Sequence, residues 1–194
     1  MSASTYKHIV IFASGSGSNA QRLMEYFDQH PHIRIVALFS NNPEAYALER
    51  ARHFNIPAHV FSRDDLRYGA VLEQVKAYHP DLIVLAGFLW LVPKAFVQEF
   101  PNRIINIHPA LLPKFGGKGM HGEFVHAAVI SGQEKESGIT IHYVNEHYDQ
   151  GAPIYQHTCP VEPGDTPEIL ARRVLALEHE HLPRVVEEVL LAQK

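Results

Sequence analysis

Along the first half of the chain, short runs rich in Ile, Val and Leu alternate with segments whose apolar residues recur every three or four positions. HIVIFAS (8–14), IRIVALFSN (33–41), PAHVF (57–61) and DLIVLAG (81–87) predict strands. AQRLMEYFDQH (20–30), EAYALERARHF (44–54) and YGAVLEQVKAYH (68–79) predict the helices between them. Strand and helix in regular alternation is the pattern of βαβ units. The run at 81–87 is apolar at successive positions, so both its faces should be covered, as in a parallel sheet with helices on each side. After RIINIHP (103–109) the order changes to a glycine-containing loop, a helix EFVHAAVIS (123–131), a strand GITIHYV (138–144), a turn NEHYDQGA (145–152) and a strand PIYQHTCPV (153–161). The short connection predicts that the last two strands form an antiparallel hairpin at the sheet edge. Asp165 and Thr166, followed by Pro167 and Glu168, mark the start of a long amphipathic helix, expected to bend at Pro183. The fold class is therefore α/β: a Rossmann-like open, mostly parallel twisted sheet, helices on both faces, with an antiparallel C-terminal edge.

Composition narrows this further. With 194 residues, 46% hydrophobic, the chain can bury one sizeable core, and a single domain over 1–194 is expected. A net charge of −4 without long single-sign blocks argues against nucleic-acid binding. No apolar run has the length of a membrane span, and the start MSASTYKHIVIFASG lacks the features of a signal peptide, so a cytoplasmic location is expected. Cys159, the single cysteine, is read as a packing residue in a strand.

Two stretches carry chemistry. SGSGSNA (14–20) follows the first strand and opens a helix, where unpaired N–H groups and close backbone approach suit a phosphate. A dinucleotide is disfavoured because the second strand ends in Ser40, Asn41, Asn42 instead of an acid for the ribose. The alternative is a plain strand-to-helix turn capped by Ser18 or Asn19. The second stretch is NIHPALLP (106–113). Alternation puts Asn106 and His108 on one face and Ile105 and Ile107 on the other, at a strand end where open α/β sheets place ligands. An amide beside an imidazole suits stabilisation of an oxyanion at a carbonyl, with His as general acid or charge partner. No G-x-S-x-G elbow is present, so direct attack by the substrate is implied. Asp149, in the turn EHYDQG, is the first candidate for a carboxylate tuning the imidazole, and Glu146 the second. A structurally bonded His and a capping Asp remain the alternative.

FASGSGSN, FSNNPEAYALERA, DLIVLAGFLWLVP, NIHPALLPKF and HYDQGAPI, with Glu178 and His179 further on, resemble the folate-dependent glycinamide ribonucleotide formyltransferases of purine biosynthesis over nearly the whole chain. The resemblance implies a phosphate-binding half, about 1–100, and a folate and catalytic half, about 101–194. It implies that a glycinamide amine attacks the formyl carbonyl of 10-formyltetrahydrofolate, the co-substrate. Asn106 and His108 would hold the oxyanion, and Asp149 would raise the His pKa and assist proton removal. Gly17, Ser18 and Asn19 would hold the phosphate through their backbone, and Glu178 the ribose hydroxyls. Leu89, Trp90, Leu91 and Val92 would grip the pterin by main-chain bonds, with Leu85, Phe96, Val97 and Val144 as apolar walls. Arg63, or Arg67, would meet the folate tail. Trp90 stands where family members often carry Arg, Gly116 where they carry Pro, and Leu175 where a polar residue lies near the ribose.

Related reactions remain as alternatives. Methionyl-tRNA and sugar-nucleotide formyltransferases share the trio, but the first needs a further domain, as a formyl-folate hydrolase does, and no room for one is expected here. A non-catalytic nucleotide-binding module would leave the trio without a purpose. No metal is expected, because His121, His126, His142 and His147 show no helical ligand pair. His121 and His142 are read as packing residues or as lying beside the cleft. Small molecules are the expected partners, without nucleic acid or membrane, and a homodimer is left open.

Overall fold

A computed structural model describes residues 6–192. Residues 1–5, part of the stretch read as lacking a signal peptide, and residues 193–194 lie outside it. The elements run β1 (Lys7–Phe12), α1 (Ser18–Phe27), β2 (Ile33–Ser40), α2 (Tyr46–His53), β3 (Ala58–Val60), α3 (Arg63–Arg67), α4 (Ala70–Ala77) and β4 (Leu82–Leu85). They continue with α5 (Lys94–Glu99), β5 (Ile104–His108), α6 (Glu123–Ser131), β6 (Glu136–Tyr143), β7 (Pro153–Pro160) and α7 (Pro167–Ala192). One seven-stranded sheet has the order β3-β2-β1-β4-β5-β6-β7. The first five strands are parallel, and β6 and β7 are antiparallel to their neighbours. The predicted class and the antiparallel edge are both present.

Alternation along the central strands builds two apolar layers. Ile9, Ile11, Leu82, Val84, Ile105 and Ile107 face one layer, with apolar residues of α1, α2, α6 and α7. Val10, Phe12, Ile83, Leu85 and Ile104 face the other, with Leu66 of α3, Val71 and Val75 of α4 and Phe96 of α5. Each such side chain contributes about 1.5–3 kcal/mol on burial, so the central strands anchor both layers.

Two helices escaped the periodicity, α3 and α5, of five and six residues. At that length an amphipathic repeat cannot be seen. A capping box between Ser62 and Asp65 nevertheless marks α3. The start of α7 is as expected, with Thr166 Oγ1 accepting from the Ile169 N–H at 3.3 Å. α7 continues as one helix through Pro183. Cys159 is buried in β7.

Strand order reverses at β1 and β4, since β2 and β3 lie on one side and β5 to β7 on the other. At such a point the loops leaving the strands diverge and open a crevice beyond their C-terminal ends. The loops after β1, β4 and β5 all emerge there, and they carry SGSGSN, GFLWLV and the residues after His108.

Candidate active site

The glycine-rich loop is tied from several sides. Gly17 is the N-cap of α1 with φ +70°, and no side chain caps the helix. A Cβ there would lie 2.5 Å from Ala47 Cβ and 2.6 Å from Ala47 Cα, so glycine is needed for the approach of α2 as well as for the turn. Arg50 on α2 donates to the Ser16 carbonyl at 2.7 Å and also bonds Gln21, holding a cation against the loop. Ser14 donates to Asn41 Oδ1 at 2.6 Å and accepts from the Leu89 N–H at 3.0 Å, joining the ends of β1 and β2 to the loop after β4. Ser18 and Asn19 do not cap the helix as the plain-turn alternative supposed. Asn19 Nδ2 instead donates to Glu178 Oε2 at 2.7 Å.

Asn106, His108 and Asp149 converge. His108 Nδ1 lies 3.6 Å from Asp149 Oδ2, and Asn106 Nδ2 donates to Asp149 Oδ1 at 3.4 Å. Pairing in the sheet sets His142 opposite Asn106 and Thr140 opposite His108. His142 Nε2 thereby comes within 3.6 Å of Asp149 Oδ1 and 3.2 Å of Asn106 Nδ2. The carboxylate therefore stands between two imidazoles, where one was expected. Its Oδ2 also accepts from the Gly117 N–H at 2.9 Å. Glu146, the second candidate, pairs with Lys94 at 3.4 Å instead.

Tautomers follow from carbonyl partners, because a carbonyl can only accept. His108 donates from Nε2 to the Phe115 carbonyl at 2.8 Å, which leaves Nδ1 facing Asp149. His142 donates from Nδ1 to the Tyr143 carbonyl at 2.8 Å, which leaves Nε2 to accept from Asn106. Burial pushes the His108 imidazole below its ordinary value, with the neighbouring His142 acting the same way, while Asp149 and the Phe115 carbonyl pull it up without prevailing. The net position thus lies below an ordinary histidine, although the Asp149 contribution has the expected sign. Burial alone would raise the Asp149 carboxyl, but His142, His108 and the Gly117 N–H outweigh it and hold it below the ordinary carboxylate range. Asp149 is ionised near neutral pH and His108 is mainly neutral.

A cleft of about 870 Å³ runs past His108, Asn106 and Asp149 to Asn19 and Glu178, and His121, His126 and the half-exposed Leu175 line it too. A second, smaller cavity meets it at Asn106 and Asp149, lined by Leu85, Trp90, Leu91, Val92, His142 and Val144. Phe96 and Val97 pack in the apolar layer behind that cavity. Leu89 is exposed beside the main cleft. Arg63 lies over the Trp90 ring at 4.4 Å, whereas Arg67 stacks on Tyr68 at 5.6 Å. Gly116 has a local cause: a Cβ there would stand 2.5 Å from Leu112 Cδ2 and 3.2 Å from Asp149 Cβ, crowding the carboxylate. Among the described residues, no group of three or more His, Cys, Asp or Glu is placed to hold a metal ion, and no helix is long and apolar enough to cross a membrane.

The family model described as formyl transferase matches residues 7–186. The chain belongs to the formyl transferase family. It is 34% identical over 190 residues to phosphoribosylglycinamide formyltransferase of Bacillus subtilis, covering 95% of each chain. To the chloroplastic phosphoribosylglycinamide formyltransferase of Arabidopsis thaliana it is 42% identical over 187 residues, 93% of this chain, and it spans 64% of that protein's length. The solved phosphoribosylglycinamide formyltransferase of Brucella melitensis superposes with a TM-score of 0.87 at 35% identity, covering 98% of each chain. In this formyl transferase the sequence left His142, Phe115 and Gly117 without a role in the trio's setting. A signal for His142 exists: in GITIHYV, Thr140 and His142 alternate with Ile139 and Ile141, as Asn106 and His108 alternate with Ile105 and Ile107. The partners of Phe115 and Gly117 are backbone atoms, which residue type does not reveal.

Proposed function

We propose that this formyl transferase moves the formyl group of 10-formyltetrahydrofolate to the primary amine of glycinamide ribonucleotide, giving the N-formyl product and tetrahydrofolate. The observation that carries the reading is the meeting of two cavities at Asn106 and Asp149, with His108 beside them. The ribonucleotide takes the longer cleft, its phosphate on the backbone of Gly17, Ser18 and Asn19 and its ribose on Glu178. The pterin takes the cavity of residues 89–92, with Leu85 and Val144 as walls, and Arg63 on its Trp90 shelf meets the anionic tail. Two substrates approaching from two sides need no covalent relay through the protein.

The amine nitrogen attacks the formyl carbon, and the carbonyl oxygen takes up the charge. The C–N10 bond then breaks as the amine proton is passed on to N10. Asn106 Nδ2 meets the oxyanion by exchanging one of two long bonds, at 3.2 and 3.4 Å, for a short charge-assisted one. His108, with Nε2–H committed to Phe115, takes and returns a proton at Nδ1, where the imidazolium is stabilised by Asp149. No step in this scheme calls for a metal. Water-soluble metabolites as partners, without nucleic acid or membrane, and a cytoplasmic setting belong to the same proposal, with a homodimer left open.

The test is transfer by the purified chain from 10-formyltetrahydrofolate to glycinamide ribonucleotide in chelator-treated buffer. Amine-dependent release of tetrahydrofolate is expected. Release of formate without any amine would make the chain a hydrolase, and transfer only to an amino sugar nucleotide or to methionyl-tRNA would move it to another branch of the family.

A further inference from the structure

Asn19 and Glu178 stand 159 positions apart, on α1 and α7, yet their side chains meet at 2.7 Å. Both are more than nine-tenths buried, at 8% and 7% exposure, and both line the main cleft. Among the described residues the Asn19 amide is the one hydrogen-bond partner of this carboxylate, and no Lys, Arg or His pairs with it. Asn19 Oδ1 is buried without a partner. The amide is therefore held toward Glu178 at the cost of its own oxygen, where a simple brace between helices would satisfy both ends. The backbone of the same residue lies in the first turn of α1, directly after the glycine-rich loop.

We propose that the Asn19 side chain is a positioning residue for the sugar subsite. It fixes Glu178 Oε2 and leaves Oε1 without a protein partner as an acceptor for ribose hydroxyls. Through its own backbone it ties that acceptor to the phosphate loop, so the ligand class selected is a ribonucleotide monophosphate over its deoxyribose counterpart. The inference rests on the reading of Glu178 as the ribose residue.

The experiment compares Asn19→Ala, Asn19→Asp, Glu178→Gln and the double variant Asn19→Ala with Glu178→Gln. Each is assayed with glycinamide ribonucleotide and with its 2′-deoxy counterpart at saturating formyl folate. Asn19→Ala should raise KM for the ribonucleotide about tenfold, as loss of a bond to a charged group does, with kcat and the KM for formyl folate nearly unchanged. The preference for ribose over deoxyribose should shrink in both single variants, and the double variant should be no worse than Glu178→Gln. Asn19→Asp keeps the size but sets two carboxyls together, so its KM should improve as pH falls and a shared proton restores the bond. An equal KM rise for ribose and deoxyribose substrates in Asn19→Ala, or strictly additive effects in the double variant, overturns the assignment of Asn19. Glu178→Gln with the wild-type preference overturns the ribose reading of Glu178 itself. An unchanged formyl-folate KM certifies that each variant is folded.

Discussion

Glu178 imposes a stability cost that varies with pH, and Glu178→Gln should remove it. Burial pushes the carboxyl up to about 7, against the pull of the Asn19 bond. Below the ordinary value of 4.5 the group is protonated in both the folded and the unfolded chain and costs nothing. Between there and about 7 the folded chain retains a proton that the unfolded chain has released, so stability falls with rising pH. Over that interval, about 2.5 pH units at about 1.36 kcal/mol each, the loss amounts to a little over ~3 kcal/mol. Against a typical folding free energy of about 5–15 kcal/mol this is a large share. Glutamine has the same shape, accepts the Asn19 N–H through its carbonyl and never ionises. The variant should therefore match the wild type near pH 4.5 and exceed it by about 3 kcal/mol at pH 8. Urea unfolding of both proteins at a series of pH values measures this, and the titration of all other groups cancels in the difference. A difference that stays flat from pH 4.5 to 8 would refute the reasoning, because the carboxylate would then be solvated or paired in a way its burial excludes.

Asp149→Asn removes the pull that opposes burial, so His108 should titrate lower still while turnover falls, and NMR titration of the ring reads both proteins. The variant should fold, since Asp149 sits at φ +55°, a region asparagine accepts as readily. A His108 that titrates unchanged would leave Asp149 as the partner of His142 alone. His108→Ala should lower kcat by about two to four orders of magnitude with modest change in either KM; a loss of tenfold or less would reduce the ring to a support for the Phe115 carbonyl. Gly17→Ala should lower the melting temperature because its Cβ meets the Ala47 backbone, whereas Gly15→Ala, with nothing within 4 Å, should melt as the wild type does. Equal melting of the two variants would mean that α2 yields to the added carbon.

Much of this arrangement was legible because it is written in side-chain type. The two-faced strands at Ile9–Phe12 and Leu82–Leu85 are long apolar runs, and their burial between helices follows directly. Asn106 and His108 declare themselves by parity along a strand whose other face is isoleucine. What the chain conceals is register and backbone. That His142 lies opposite Asn106 depends on how β5 and β6 pair, which neither strand encodes alone. The Phe115 carbonyl and the Gly117 N–H act through atoms every residue has, so no composition marks them. The sign of the Asp149 effect on His108 could be foreseen, but not its defeat by burial, which is a property of the packed cleft.

α7 follows all seven strands in the chain, packs against α1 and shares one apolar layer with Ala20, Leu23, Met24 and Phe27 of that helix. During synthesis, all seven strands and the Asn106, His108 and Asp149 cluster are therefore made before the segment that closes the apolar face beside them. Until α7 docks, a nascent chain would carry the proposed catalytic groups and a greasy flank together, and it would be open to capture by other unfolded chains. Glu178 joins Asn19 only when α7 docks, so completion of the proposed sugar subsite and protection from aggregation are one event, and chaperone demand should peak just before α7 leaves the ribosome.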